Sequence, residues 1–66
     1  MWTVVYIAPN PAAAGKLKEA LESHSLLVKL KSLKSISPGD EAVEILVPQS
    51  EAQEAYEIIG NHIKAN

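Results

Sequence analysis

Apolar residues form a nearly continuous run at the start of the chain, then recur at every third or fourth position, then at every second position in two segments, and then again at every third or fourth position, which divides the chain into five segments. Alternation of apolar and polar residues is typical of a half-buried strand, whereas spacing of three and four residues is typical of an amphipathic helix. In chain order, the spacing predicts strand, helix, strand, strand and helix. This order restricts the fold to a small set of α+β arrangements.

The first strand is predicted from Trp2 to Ala8, a stretch rich in aromatic and β-branched residues. It is apolar on both sides. Strict alternation places Trp2, Val4 and Tyr6 on one face of the strand. The same alternation places Thr3, Val5 and Ile7 on the other face.

The first helix is predicted to start at Asn10-Pro11, because asparagine caps free N–H groups and proline suits the first helical position. Gly15 weakens this helix by roughly 1 kcal/mol relative to alanine. A close contact with the sheet and simple sequence drift both account for a glycine there. The predicted apolar stripe, with a polar end, is Ala13, Leu17, Ala20, Leu21 and His24.

The second half of the chain is predicted to hold two alternating strands, Leu26 to Leu33 and Ala42 to Val47. The turn-forming segment from Ser35 to Glu41 predicts an exposed loop between them. Ser50 followed by Gln53 resembles a capping box at the start of the second helix. The buried stripe predicted for that helix is Ala52, Ala55, Tyr56, Ile59 and Ile63.

The connections between these segments predict the architecture. The helix between strands one and two makes those strands parallel, and the short loop between strands two and three makes that pair antiparallel. Both conditions hold if the third strand lies between the other two. We therefore expect an α+β, βαββα two-layer sandwich in one domain, residues 1–66. Its three-stranded antiparallel sheet has the order 1-3-2 with two helices on one face, a ferredoxin-like unit without its last strand.

This architecture leaves one sheet face without helices. The helix-covered face is predicted to carry Val5, Ile7, Val28, Leu30, Val43, Ile45 and Val47. The uncovered face is predicted to be an interaction surface formed by Trp2, Val4, Tyr6, Leu46, Lys29 and Lys31. Strand one is also an apolar, uncharged sheet edge, whereas strand two has lysines that protect an edge. We therefore predict that this face or the strand one edge binds another chain, most simply a second copy in a two-fold dimer.

The residues that support catalysis or metal binding do not form a recognisable pattern. There is no cysteine, so disulfides, thiolate metal sites and cysteine nucleophiles are excluded. His24 and His62 are each near a predicted helix end, where an imidazole complements the helix dipole, and neither has a spaced ligand partner. No histidine and carboxylate are patterned to activate a serine. The sequence therefore predicts a protein that is not an enzyme and holds no metal or cofactor.

Charge argues against nucleic acid as the main partner. The chain has six lysines, no arginine and a net charge of −2, so it presents no basic field to phosphates. Lys29, Lys31 and Lys34 nevertheless leave weak single-strand binding open, since lysines beside aromatic rings bind such strands. The chain has no apolar run of about 20 residues and no signal-peptide pattern, which predicts a cytoplasmic protein without a membrane partner.

Several short stretches resemble a known family. These are Val5-Tyr6-Ile7-Ala8-Pro9-Asn10, Leu26-Leu27-Val28 and Glu44-Ile45-Leu46-Val47-Pro48, each beside an amphipathic helix. Together they are similar to the prokaryotic signal-transducing family of small domains, whose function is unknown and whose fold is like that of the PII signalling proteins. The resemblance implies a regulatory or interaction role and supplies no catalytic residues. The chain departs from it at His24-Ser25, where the family commonly has a glycine, and at Ala12-Ala13-Ala14, where it often has an acidic residue.

A small-molecule sensor is the alternative to a pure interaction module. Similar ferredoxin-like regulatory domains bind amino acids at a dimer interface. They usually have a fourth strand, and a glycine-rich turn where this chain has Pro9-Asn10-Pro11. The sequence leaves the identity of any ligand or protein partner open.

Overall fold

A computed structural model describes residues 1–33 and 41–64 and contains the elements in the predicted order. They are β1 (Trp2–Ala8), α1 (Pro11–Glu22), β2 (Lys29–Leu33), β3 (Ala42–Pro48) and α2 (Ala52–Lys64), with a 3-10 turn at Gln49–Glu51. The predicted loop from Ser35 to Glu41 lies outside the described residues, except for Glu41.

The sheet has the order β1-β3-β2, and β3 runs antiparallel to both of its neighbours. Strands β1 and β2 are therefore parallel to each other. Both helices contact β1 and β3 and also contact each other, so they form one layer on one side of the sheet. The predicted α+β fold is confirmed, including the strand order.

The core lies between this helical layer and the sheet. It is entirely apolar, with Val5, Val43, Ile45 and Val47 from the sheet side. The helices contribute Ala14, Leu17, Leu21, Ala55 and Ile59. Leu30 is on the helix side too, as predicted, because it is opposite the buried Ile45, but on the outer strand β2 this side chain is 38% exposed. The burial is therefore concentrated on the central strand, where both helices reach it.

Helix α1 starts as the sequence predicts and ends in a way that the sequence did not predict. Asn10 Oδ1 accepts a hydrogen bond from the Ala13 N–H at 2.8 Å, and Pro11 is the first helical residue. At the other end, Ser25 has a φ of 66°. Its N–H donates to Glu22 O, and the Leu26 N–H donates to Leu21 O. These are the two bonds of a Schellman motif, with serine in the left-handed position that glycine usually occupies.

His24, the polar end of the stripe predicted for α1, is exposed. The buried stripe predicted for α2 needs correction, because Tyr56 and Ile63 are exposed. A stripe that includes these residues is wider than the surface that three strands offer to two helices. No neighbouring atom lies within 4 Å of a Cβ built on Gly15, so a close helix–sheet contact does not explain that glycine.

The prediction of a capping box at the start of α2 also needs correction. Ser50 lies inside the 3-10 turn, and no side-chain hydrogen bond caps that turn. Glu51 Oε1 instead accepts a hydrogen bond from the Leu27 N–H at 3.0 Å. This bond ties the beginning of α2 to the segment that leads from α1 into β2.

A β-bulge at Val5 changes the orientation of the second half of β1. Val4 is opposite Leu46, but the next paired residue is Tyr6, opposite the buried Ile45. Val5 is the extra residue, and an extra residue reverses the alternation beyond it. The predictions that Tyr6 faces away from the helices and that Ile7 faces towards them are therefore both wrong. Tyr6 packs against the core, and Ile7 is opposite Glu44 on the other face.

Candidate interaction surface

The sheet face opposite the helices is the candidate interaction surface, and we call it the open face. The register assigns its residues in two rows that cross all three strands. Val4 is opposite Leu46, which is opposite Lys29. Ile7 is opposite Glu44, which is opposite Lys31. Trp2, opposite Pro48, extends the open face at one end.

Three apolar side chains of β1 are exposed on the open face. Trp2 is 43% exposed, Val4 38% and Ile7 54%. Leu46 on the central strand is half-buried between them and the lysines of β2. Side chains of this kind on adjacent positions form a patch, and apolar patches rimmed by polar residues mark interaction sites.

Trp2 and Lys29 are in contact across the open face although they belong to the two outer strands. The Lys29 Nζ lies 5.5 Å from the centroid of the Trp2 ring. This is within the range of a cation–π interaction. Because β3 lies between these strands, the contact covers part of the central strand at the end of the sheet where Leu46 lies.

The charges of the open face are mixed. Lys31 is directly opposite Glu44, and opposite charges at such positions stabilise neighbouring strands. Lys29 is opposite the apolar Leu46. The open face therefore carries both signs of charge next to its apolar residues.

Five of the six residues predicted for the interaction surface lie on the open face: Trp2, Val4, Leu46, Lys29 and Lys31. Tyr6 does not, because of the bulge at Val5. Ile7 takes its place and was missed, since nothing in the apolar run Val4-Val5-Tyr6-Ile7 shows where the alternation breaks.

The two edges of the sheet differ in how they are protected. The β1 edge is interrupted at Val5, because a bulge bends the strand and disrupts a regular ladder. The β2 edge is short and carries Lys29 and Lys31. Both features discourage the addition of another strand. The bulge therefore makes the predicted pairing through the strand one edge less favourable than contact through the open face.

The helical side contains the remaining polar candidates. His24 and His62 line a shallow groove between α1 and α2 together with Ser23 and Asn61. Among residues 1–33 and 41–64, no three histidine, aspartate or glutamate side chains are grouped so that they could hold a metal ion. Neither helix in this part of the chain is long and apolar enough to cross a membrane.

Comparisons of the chain with protein-family models, with curated proteins and with solved structures found no match. The resemblance to the signal-transducing family therefore stays a prediction.

Proposed function

We propose that this chain is a non-enzymatic interaction or regulatory module that self-associates through its open face. The observation that supports this most strongly is the exposure of Trp2, Val4 and Ile7 side by side on a face that the helices leave uncovered. A tryptophan, a valine and an isoleucine in one patch give favourable free energy when a partner removes them from water. The cytoplasm is the compartment that we propose for this module.

A second copy suits the open face because that face is self-complementary. In a two-fold contact, if residue i of one chain contacts residue j of the other, then residue j also contacts residue i, so each such contact occurs twice. The apolar residues on β1 and Leu46 can pack against the same set. Lys31 of one chain can also meet Glu44 of the other, which adds attraction on both sides of the axis.

The size of the open face indicates a weak dimer. Strands about 4.8 Å apart with about 3.3 Å of rise per residue give a three-stranded, seven-residue face of roughly 14 by 23 Å. Two stacked faces of this size cover roughly 640 Å² in total, below the roughly 1,200 Å² at which standard interfaces begin and in the range of weak, transient ones. We therefore expect a dissociation constant in the micromolar range.

The two alternative functions have less support. Base stacking on a sheet usually uses two or three aromatic rings, and the bulge leaves Trp2 as the one ring that the described part of the open face offers. The net charge of −2 also disfavours nucleic acid. A sensor with its ligand between two copies would need the same dimer, so it depends on this proposal and does not compete with it.

Sedimentation velocity over a concentration series tests the proposal. We expect one chain at low micromolar concentration and two at high micromolar concentration. Trp2→Lys should weaken association at least tenfold, because it introduces an unpaired charge in the apolar patch. The matched control is Tyr56→Lys, since Tyr56 is an exposed aromatic residue on the helical side.

Two results would contradict the proposal. One is a mass of a single chain at every concentration. The other is equal association of the Trp2→Lys and Tyr56→Lys variants. Salt-sensitive binding of an oligonucleotide by the single chain, lost in Lys29→Gln, would favour the nucleic-acid alternative instead.

A further inference from the structure

A groove of about 300 Å³ lies on the helical side, where the end of β1 meets the two helices. Its apolar lining comes from the β1–α1 turn, α1 and α2 and consists of Pro9, Ala13, Leu17 and Ile63. Three polar side chains also line it: Tyr6, Lys16 and His62. An apolar concavity with a few polar groups is the usual composition of a small-molecule site, and this volume is at the lower end for such sites.

The three polar side chains of the groove are all able to donate a hydrogen bond to an anion. Lysine carries a positive charge, and the histidine ring and the tyrosine hydroxyl each have a hydrogen to donate. No aspartate or glutamate is among the described residues that line the groove. The first turn of α1, which contributes Ala13, has no acidic side chain, so the positive end of its dipole is not neutralised there.

The bulge at Val5 is what gives the groove its tyrosine. Strict alternation would place Tyr6 on the open face, whereas the extra residue turns it towards the helices. Lys16 is exposed and forms no ion pair with another described residue, in contrast to Lys18, which lies 3.9 Å from Glu22. The groove thus combines a half-buried phenol and an ammonium group that pairs with no carboxylate of residues 1–33 and 41–63 around apolar walls.

We propose that this groove binds a small organic carboxylate with an apolar body of about ten non-hydrogen atoms, with the carboxylate at Lys16 and His62. The apolar body lies against Leu17, Ala13 and Ile63, and the Tyr6 hydroxyl is placed to donate to the ligand. Ligands of this size bind with millimolar to high-micromolar dissociation constants. The site is on the opposite side of the molecule from the open face and does not depend on self-association.

Titration of the 15N-labelled protein with octanoate, followed by NMR, tests the proposal. We expect saturable shifts in the amides of Ala13, Lys16, Leu17 and His62, with Val4 and Leu46 unaffected. Octanol has the same chain without the charge and should bind about three- to fivefold more weakly. Octyl phosphate distinguishes a general requirement for an anion from a preference for a carboxylate.

Two substitutions in α1 form a matched pair. Lys16→Gln should weaken octanoate binding about three- to fivefold, the range of an ion pair at an exposed lysine. Lys18→Gln removes the same charge two residues away, outside the groove, and should change binding less than twofold. Ala13→Leu places extra volume in the groove and should also weaken binding, through shape and not charge.

The proposal is overturned if octanoate and octanol bind equally, or if the Lys16→Gln and Lys18→Gln proteins bind octanoate equally. It is also overturned if the shifts map to Trp2, Val4 and Leu46, since the ligand then occupies the open face. An absence of saturable shifts up to about ten times the expected millimolar dissociation constant overturns it as well.

Discussion

The Lys29 ammonium group lies 5.5 Å from the centre of the Trp2 ring and joins the two outer strands over the central one. Such a contact contributes about 0.5–1 kcal/mol at an exposed site. It also places the chain's single tryptophan on the open face. Intrinsic tryptophan fluorescence therefore reports on this surface alone.

We predict that the Trp2 emission maximum moves to shorter wavelength as protein concentration rises from low to high micromolar. The physical reason is that Trp2 is 43% exposed in the single chain and loses water when a second copy covers it. In Val4→Lys, which keeps the tryptophan but charges its neighbour on the open face, the maximum should stay constant. A shift of the same size in both proteins would contradict the assignment of the contact to this face.

We predict that Ser25→Gly stabilises the protein by about 1 kcal/mol, because a non-glycine residue in the left-handed region carries roughly that penalty. Ser25 has a φ of 66° at the end of α1. Ser23→Gly is the matched control, since Ser23 has a φ of −66° and its hydroxyl donates to Ala20 O at 2.7 Å. The midpoint of urea unfolding should rise for Ser25→Gly and fall for Ser23→Gly. A loss of stability in both variants would contradict the prediction.

The bulge predicts different costs for the same substitution at two isoleucines. Ile45→Val should destabilise the protein by about 0.5–1.5 kcal/mol, because Ile45 is fully buried. Ile7→Val should change stability by less than about 0.5 kcal/mol, because Ile7 is on the open face. Thermal unfolding at a concentration where the chain is monomeric measures both. Equal costs would mean that Ile7 belongs to the core and that β1 alternates without interruption.

The bond from the Leu27 N–H to the Glu51 carboxylate predicts that the same substitution has different effects at Glu51 and at Glu54. Glu51→Ala should lower stability by about 1 kcal/mol and speed hydrogen exchange at the Leu27 amide, because this donor loses its acceptor. Glu54→Ala removes a neighbouring carboxylate at the start of α2 and controls for the helix dipole. Exchange at Leu27 that is unchanged in Glu51→Ala would show that the bond is absent in solution.

The order of elements and the sheet topology could be predicted from the sequence because both depend on the spacing of apolar residues and the lengths of the connections. The helix start at Asn10 could be predicted as well, since the capping residue and the proline are adjacent in sequence. These features are local. The long-range strand order follows from them by the rules of chain connection.

The orientation of Tyr6 and Ile7 could not be predicted in the same way. Val4, Val5, Tyr6 and Ile7 are all apolar, so no polar residue marks which face meets water. The position of a bulge depends on how β1 matches β3, and that is a property of the pair and not of either strand. For the same reason the groove beside Tyr6 had no signal in the sequence.

The limits of the helical stripes also depend on tertiary structure. Tyr56 and Ile63 have the spacing of core residues but lie beyond the area that a narrow sheet can cover. The left-handed Ser25 lacked a sequence signal, because glycine or asparagine would normally mark that position. Its conformation is maintained by the two backbone bonds that close α1 and by the burial of Leu26 that follows.

The irregularity at Val5 has a consequence for the size of any assembly. An unbroken apolar strand at the edge of a sheet can pair with a strand of another chain. The outer edge of that added strand can then pair with a third chain, so such growth has no limit. Here each regular stretch of β1 is only a few residues long, and the opposite border is charged. Association through a sheet face instead of a sheet edge stops once that face is occupied. The molecule can therefore form a dimer without growing into a fibre.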